Sequence, residues 1–167
     1  MVFFREKTEE KKEKIIEKII CDKYNSYYRM AYSHVQNASD AEDIVQEGAY
    51  RAIKNSASLK QMQYAETWVY RIMLNEVYRH LSKNKTVGMD EFILEGLETE
   101  DRYENVDLMR ALKQLEETDR TIIQLKYFED RKLEEIAEIM ELNVSTVKSR
   151  LYRGLKKLKV DLEEEVS

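Results

Sequence analysis

The stretch LEEIAEIMELNVSTVKSRLYRGLKKL, residues 133–158, decides the fold of the C-terminal part of the chain. Apolar residues recur at intervals of three and four in two short runs, which predicts two amphipathic helices. The stripes are Leu133, Ile136, Ala137 and Met140, then Val147, Leu151, Leu155 and Leu158. Only Glu141 and Leu142 separate the two runs, and Asn143 stands where it would cap the second helix. The pattern predicts a helix-turn-helix, with a plain helical hairpin as the simpler alternative.

The second of these helices is strongly basic. Residues 143–160 contain six Lys or Arg and no acidic residue. At about 100° per residue, short polar side chains and Arg153 fall opposite the apolar stripe, with Lys148 and Arg150 beside them. Polar tips suit base edges in the major groove, and flanking cations suit phosphates, whereas a merely solvated face would balance its charges. The predicted DNA-binding residues are Ser145, Thr146, Lys148, Ser149, Arg150 and Arg153.

The composition of the whole chain favours a small, helical protein. Its 167 residues include four Gly and no Pro, so few residues interrupt helices, and 43% apolar residues suffice for one or two cores. No run approaches the roughly 18 apolar residues of a membrane span, and the first residues do not resemble a signal peptide, so a cytoplasmic location is expected. Cys21 is predicted to be a small buried hydrophobe. His34 and His80 lack ligand spacing, and no metal or cofactor is expected.

Three helices are predicted in the N-terminal half, at 8–36, 40–55 and 66–83. The second begins at a Ser39-Asp40 cap and has one apolar face, made of Ala41, Ile44, Val45, Gly48 and Ala52. The third is apolar around most of its circumference, so we expect it to lie between the others. Residues 84–104 carry a net charge of −5 and are predicted to be a linker between domains 8–83 and 105–160, and residues 161–167 form an acidic tail.

Two further features of the N-terminal half carry functional hypotheses. Asp43, Gln46, Glu47 and Tyr50 share the face of the second helix opposite its apolar stripe, which indicates either a docking patch or a solvated face. Eight of the eleven Tyr lie between Tyr24 and Tyr78. Most of these are expected in the core, although aromatic rings beside cations can also hold unstacked bases.

Four motifs together resemble the bacterial extracytoplasmic-function (ECF) sigma factors of RNA polymerase. They are DAEDIVQE at 40–47, TWVYRI at 67–72 with Asn75, LEEIA at 133–137, and STVKSRL at 145–151. Their order and spacing match the family from about residue 15 to residue 158, with the variable linker in its expected place. The resemblance departs from the family at Glu141, where a turn glycine is common.

The resemblance implies an all-α protein with two small helical domains, a region 2 bundle and a region 4 helix-turn-helix. It implies that Asp43, Gln46 and Glu47 dock on the clamp helices of the polymerase largest subunit. The -35 element would lie against the second helix of the helix-turn-helix. The -10 and melting surface would comprise Lys60, Gln61, Trp68, Arg71, Asn75 and Arg79. Such factors have no catalytic chemistry, and many have an anti-sigma partner, often tethered at the membrane.

Two other classes of protein remain as alternatives. A conventional helix-turn-helix repressor or activator would keep the C-terminal half and need no polymerase. A remote alternative is an all-α Mg-dependent phosphohydrolase, whose paired carboxylates would be Glu42, Asp43 and Glu47, or Glu134, Glu135 and Glu138. No phosphate cradle is visible in the sequence, and the second cluster lies on a helix that the helix-turn-helix already uses.

The formal net charge of −5 does not exclude nucleic acid as a partner. The predicted linker and the tail carry −5 and −4, so the rest of the chain carries +4. We hypothesise that the acidic linker competes with DNA for the basic helix and so keeps the free protein off DNA.

Overall fold

A computed structural model describes the backbone of residues 2–84, 108 and 110–166, and the side chains of residues 7–84, 108 and 110–160. The chain divides into two compact units, Met1–Lys83 and Asn84–Ser167. Within the described backbone the regular structure is helical and contains no strand, which confirms the predicted all-α class. The predicted linker lies outside the described residues, apart from Asn84.

Unit 1 contains three long helices, as predicted. They are α1 (Val2–Val35), α2 (Ala38–Lys54) and α3 (Ala65–Asn84), and two short 3₁₀ turns, Ser56–Ser58 and Met62–Tyr64, join α2 to α3. The predicted Ser39-Asp40 cap of α2 is wrong. The cap is Asn37, whose Oδ1 accepts a hydrogen bond from the Asp40 N–H at 2.9 Å. Asn is as good a cap as Ser, and here it also follows the left-handed Gln36 (φ 51°) that ends α1.

In the core of unit 1, α3 packs against both α1 and α2. All five residues of the predicted apolar face of α2 are buried. A Cβ atom at Gly48 would overlap the sulfur of Met73, so α2 and α3 approach closely at this glycine. Tyr27 of α1 meets Tyr70 of α3 edge to face, with ring centroids 5.6 Å apart. These contacts fix the position of α3, which carries most of the residues predicted to contact the -10 element.

Two sequence expectations about burial are wrong. Cys21 is exposed, because it lies about 100° around α1 from the buried Ile20 and faces away from the core. Most of the clustered tyrosines are not core residues either. Only Tyr27 and Tyr70 are buried, because the hydroxyl allows the other rings to sit half-buried or exposed at the surface.

Unit 2 contains the predicted helix-turn-helix. A helical turn at residues 110–113 precedes α4 (Glu117–Tyr127), α5 (Leu133–Met140) and α6 (Val144–Val166). The facing stripes of α5 and α6 are buried at their centres, at Ile136, Ala137, Val147 and Leu151. Asn143 Oδ1 accepts the Thr146 N–H at 2.8 Å, which confirms the predicted cap. The backbone of the predicted acidic tail continues α6 as far as Val166.

A buried arginine fixes the start of α4. Arg120 donates from Nε to the carbonyl of Leu112 at 2.8 Å, and from Nη2 to the carbonyls of Lys113 and Leu115 at 2.9 and 3.0 Å. These carbonyls end the helical turn before α4, where the helix itself leaves carbonyls without intrahelical donors. That of Leu112 also accepts the Leu115 N–H at 3.1 Å. Burial lowers the pKa of Lys113, and the charge of Arg120 adds to this effect. The periodicity of the sequence does not predict these three hydrogen bonds of Arg120.

Candidate nucleic-acid and polymerase interfaces

The residues predicted to face DNA lie along the first turns of α6. Ser145, Lys148 and Ser149 are exposed, and Thr146 is half-buried. The Ser145 hydroxyl donates to Asn143 Oδ1 at 2.9 Å, and the Ser149 hydroxyl donates to the Ser145 carbonyl at 3.0 Å. Both hydroxyl oxygens keep lone pairs that can accept further hydrogen bonds. The structure therefore brings these four positions together on an accessible helix end.

The two predicted arginines of α6 are instead paired with α4. Arg150 Nη1 lies 3.0 Å from Asp119 Oδ1, and Arg153 Nη2 lies 2.9 Å from Asp119 Oδ2. Both guanidinium groups also approach Glu116 at 3.5 Å. The Asp119 side chain is only 5% exposed, whereas that of Arg153 is 58% exposed. The contacts to Asp119 therefore hold α6 on α4, and the hydrogen bond to this carboxylate raises the pKa of Arg153.

The exposed face of α6 that carries Ser145, Lys148 and Ser149 also includes two residues that the sequence did not lead us to predict, Tyr152 and Lys156. Tyr152 is 61% exposed, and Lys156 lies one turn beyond it, in line with Lys148. Among the described side chains, neither Lys148 nor Lys156 has an ion pair. The sequence did contain a signal for these residues, because Lys148, Tyr152 and Lys156 are spaced four apart and so share one face of a helix. This face offers cations that need not leave an intramolecular partner in order to contact phosphates.

The predicted docking patch of unit 1 lies on the outer face of α2. Asp43, Gln46 and Glu47 are all exposed there, away from the buried stripe. Tyr50 continues the patch, and the Lys54 ammonium lies 5.6 Å from the centre of its ring. Exposed aromatic rings are enriched at protein-binding surfaces, and the carboxylates beside this one would repel DNA, so the patch suits a protein partner better than a DNA one.

The residues predicted to contact the -10 element belong to the α2–α3 connection and to α3. Buried Leu59 anchors this connection, while Lys60 and Gln61 are exposed. Gln61 Oε1 accepts a hydrogen bond from Gln63 Nε2 at 3.0 Å. On α3 the remaining members range from half-buried to exposed: Trp68, Arg71, Asn75 and Arg79. All six predicted residues therefore belong to one connection and one helix of unit 1.

A buried carboxylate links the outer faces of α2 and α3. Glu76 Oε1 lies 2.6 Å from Arg51 Nε and 2.7 Å from Arg79 Nη1. Arg51 Nε is also 3.2 Å from Glu47 Oε1. Sequence reasoning placed Glu47 and Arg79 in two different sites and did not connect them. Their link depends on how α2 and α3 pack, which helical periodicity alone does not reveal.

Comparison with known proteins identifies the family. Residues 23–87 match sigma-70 region 2, and residues 105–158 match sigma-70 region 4. The chain belongs to the sigma-70 family, whose members are non-enzymatic factors that direct transcription initiation by RNA polymerase. The predicted class of protein is thus confirmed.

The relatives place the chain in the ECF group of this family. The RNA polymerase sigma factor SigV of Bacillus subtilis is 41% identical over 87% of this chain and 90% of its own length. The ECF RNA polymerase sigma factor SigW of the same organism is 32% identical over 82% of this chain and 83% of its own length.

Two solved structures share the fold. One is sigma factor RpoE of Bartonella quintana in complex with the anti-sigma factor NepR, with a TM-score of 0.74 and 23% identity over 88% of this chain and 96% of that one. The other is CnrH in complex with the cytosolic domain of CnrY, with a TM-score of 0.69 and 20% identity over 89% and 88%.

Two properties of the described residues bear on membranes and metals. None of the helices in this part of the chain combines the length and the apolar character needed to cross a membrane. Among the described side chains, no group of three His, Cys, Asp or Glu is placed to hold a metal ion.

Proposed function

We propose that unit 2 binds the -35 promoter element with the N-terminal part of α6 in the major groove. The observation that carries this proposal is the exposed face of α6, where hydroxyl groups lie beside lysines that have no ion pair among the described side chains, at a capped helix end. The free N–H groups and the positive dipole of that end favour phosphate oxygens. The residues assigned to this site are Ser145, Thr146, Lys148, Ser149, Arg150 and Arg153, and we add Tyr152 and Lys156.

Unit 1 is proposed to bind the -10 element and to hold the melted strand. Trp68 supplies an aromatic face, and Arg71 and Arg79 supply cations along the same helix. Stacking on an aromatic face holds an unstacked base with little demand on its identity, and neighbouring cations hold the backbone. Lys60 and Gln61, on the connection before α3, would meet a flipped base at the edge of this surface.

The outer face of α2 is proposed to dock on the clamp helices of the polymerase largest subunit. Asp43, Gln46 and Glu47 give it carboxylates that suit a basic partner and repel DNA. The acidic residues of this face lie on α2, whereas the proposed DNA-binding cations lie on other elements. This difference supports assigning polymerase binding to α2 and DNA binding to the other surfaces. The protein would act in the cytoplasm, where the polymerase is.

An anti-sigma factor is proposed as a further partner, and a membrane-anchored one would fit the family. The support is that the related structures of RpoE and CnrH hold NepR and the cytosolic domain of CnrY. Such a partner would cover the docking and DNA-binding faces. Catalytic chemistry is assigned to the polymerase and not to this chain.

In vitro transcription from a promoter library with core polymerase tests the function directly. We expect initiation only when the chain is added, from promoters that share a -10 and a -35 sequence. Electrophoretic binding assays separate this function from a conventional helix-turn-helix regulator. Tight, sequence-specific binding by the isolated chain, without core enzyme, would favour the regulator instead.

Docking on the polymerase has its own test. Replacing Gln46 and Glu47 together by Ala should weaken binding to core polymerase, because it removes a carboxylate and an amide from the patch without touching the core. A matched control removes the same chemistry from α1, at the exposed Glu17 and Asn25. Equal core affinity for the two double variants, measured by fluorescence titration, would disprove the docking assignment.

A further inference from the structure

We propose that the buried Glu76 keeps the docking patch available by drawing the charge of Arg51 away from Glu47. Glu76 itself is 7% exposed and cannot contact a partner protein from its position on α3. It would act as a positioning residue for polymerase binding. This inference rests on the proposed docking of α2 on the polymerase.

The distances around Arg51 carry the inference. Its Nε lies between two carboxylates: the Nε–H donates a hydrogen bond to Glu47 Oε1 at 3.2 Å, and the oxygen of Glu76 lies 2.6 Å from the same nitrogen as an ion pair. The Glu47 side chain is 49% exposed, so water weakens its attraction for the guanidinium. The closer, buried carboxylate of Glu76 therefore attracts the charge of Arg51 more strongly than that of Glu47 does, and Glu47, which accepts the Nε–H, is left only partly neutralised.

Without the carboxylate of Glu76, the balance around Arg51 would change. Arg51 and Glu47 are four residues apart on one helix, a spacing that favours an ion pair. Arg51 would then pair with Glu47 alone and neutralise it. A basic partner that binds Glu47 would have to displace that arginine first.

Arg79 extends the same cluster to the predicted promoter surface. Its Nη1 lies 2.7 Å from the oxygen of Glu76 that Arg51 also contacts. If Arg79 turns toward a DNA phosphate, Glu76 keeps Arg51 as its main partner and draws it further from Glu47. Contact with the promoter and docking on the polymerase would therefore strengthen each other, as reciprocal linkage requires.

Binding of fluorescently labelled core polymerase to full-length variants, without DNA, tests the inference. Glu76→Gln keeps the shape of the side chain and removes its charge, and we expect core affinity to fall about two- to fivefold, the range of a surface ion pair. Adding Arg51→Gln to this variant should restore the affinity, because no arginine is left to neutralise Glu47. A role of Glu76 in stability alone would give no such rescue.

Glu17→Gln on α1 serves as the control for the change in net charge and should leave the affinity unchanged. Thermal unfolding of each variant confirms that unit 1 is folded at the assay temperature. An affinity of Glu76→Gln equal to that of the control, or a loss that Arg51→Gln does not reverse, would overturn the inference. The Gln46→Ala, Glu47→Ala variant tells the two proposals apart, since normal core affinity there would refute docking itself.

Discussion

Glu141, at the turn of the helix-turn-helix, has a left-handed backbone conformation with φ 56° and ψ 41°. Its N–H and that of Leu142 bond to carbonyls of the last turn of α5, which is the geometry that usually takes Gly. An L-residue pays roughly 1 to 2 kcal/mol for this conformation. The turn thus has the predicted two-residue length. The free-energy cost of having Glu141 instead of glycine is confined to the backbone of that residue.

Glu141→Gly should stabilise unit 2 by about 0.5 to 1 kcal/mol, because relief of backbone strain exceeds the entropy that Gly loses on folding. Slower amide hydrogen exchange in α5 and α6 would show it. Glu138→Gly is the matched control, since the same exchange inside α5 should destabilise by about 1 kcal/mol. Faster exchange in Glu141→Gly than in the wild type would contradict this account of the turn.

Arg153 holds α6 on α4, and it is also a predicted DNA contact. Its Nε and Nη2 bond to Asp119, whereas within the described residues its Nη1 makes no hydrogen bond. A guanidinium has five N–H donors in a planar fork, so one arginine can serve an internal carboxylate and an external acceptor together. The two roles predict different effects of removing Asp119.

Arg153→Ala should lower -35-dependent transcription about tenfold, because a base or phosphate contact is lost. Asp119→Asn keeps most of the shape and frees the arginine, so it should lower transcription much less if Arg153 contacts DNA. Promoters with and without a -35 element provide the comparison. Unchanged -35-dependent transcription in Arg153→Ala would show that Arg153 does not contact the promoter. Equal losses in Arg153→Ala and Asp119→Asn would show that Arg153 only holds α6 on α4.

At the scale of elements, Arg120 decides how α4 begins. Three carbonyls accept from this one side chain, and the site is buried. The apolar spacing of the α4 sequence predicts a buried stripe of Ile122, Ile123, Leu125 and Phe128. The first three are buried, but Phe128, which follows the last residue of the helix, is 45% exposed. A charged residue within such a stripe gives no indication of which carbonyls it will meet, because those lie five to eight residues away across a turn.

Arg120→Lys should destabilise unit 2 by on the order of 2 kcal/mol, because a single ammonium cannot reproduce the planar fork and the carbonyls at this site lose hydrogen bonds. Amide exchange in α4 reports on unit 2 separately from unit 1. Arg110→Lys, at an exposed position in the preceding helical turn, is the control and should have little effect. Equal exchange rates in the two variants would show that the three hydrogen bonds contribute nothing.

At the scale of the whole molecule, the distribution of charge matters more than its sum. The net charge of −5 combines a basic remainder with acidic residues in 84–104 and 161–167. Opposite charges on one chain can compete with an external polyanion for the same cations. The acidic segment 84–104 is therefore predicted to weaken DNA binding by the isolated protein.

Neutralising four carboxylates of this segment, at Glu95, Glu98, Glu100 and Asp101, should raise DNA affinity of the isolated chain. The control neutralises four in α1, at Glu9, Glu10, Glu13 and Glu17, and changes the net charge equally. Titration with promoter DNA at several salt concentrations measures both. A gain no larger than that of the control would reject competition by the segment.

The sequence by itself determined the helices, the helix-turn-helix and the Asn143 cap. These features depend on residues within about one or two turns of one another, so periodicity and capping chemistry are enough to predict them. The basic character of α6 and the acidic face of α2 follow from composition in the same way. Capping chemistry alone was not always sufficient, because the cap of α2 is Asn37, two residues before the predicted Ser39.

Only the tertiary structure decided which charges meet. Asp119 pairs with Arg150 and Arg153, 31 and 34 residues further along the chain, and Glu76 pairs with Arg51, which lies on another helix. Such pairs depend on the rotation and packing of whole helices, which local periodicity does not specify. For that reason the sequence predicted six DNA-facing positions on α6 as one set, whereas the fold divides them into a polar face and a pair of arginines held by α4.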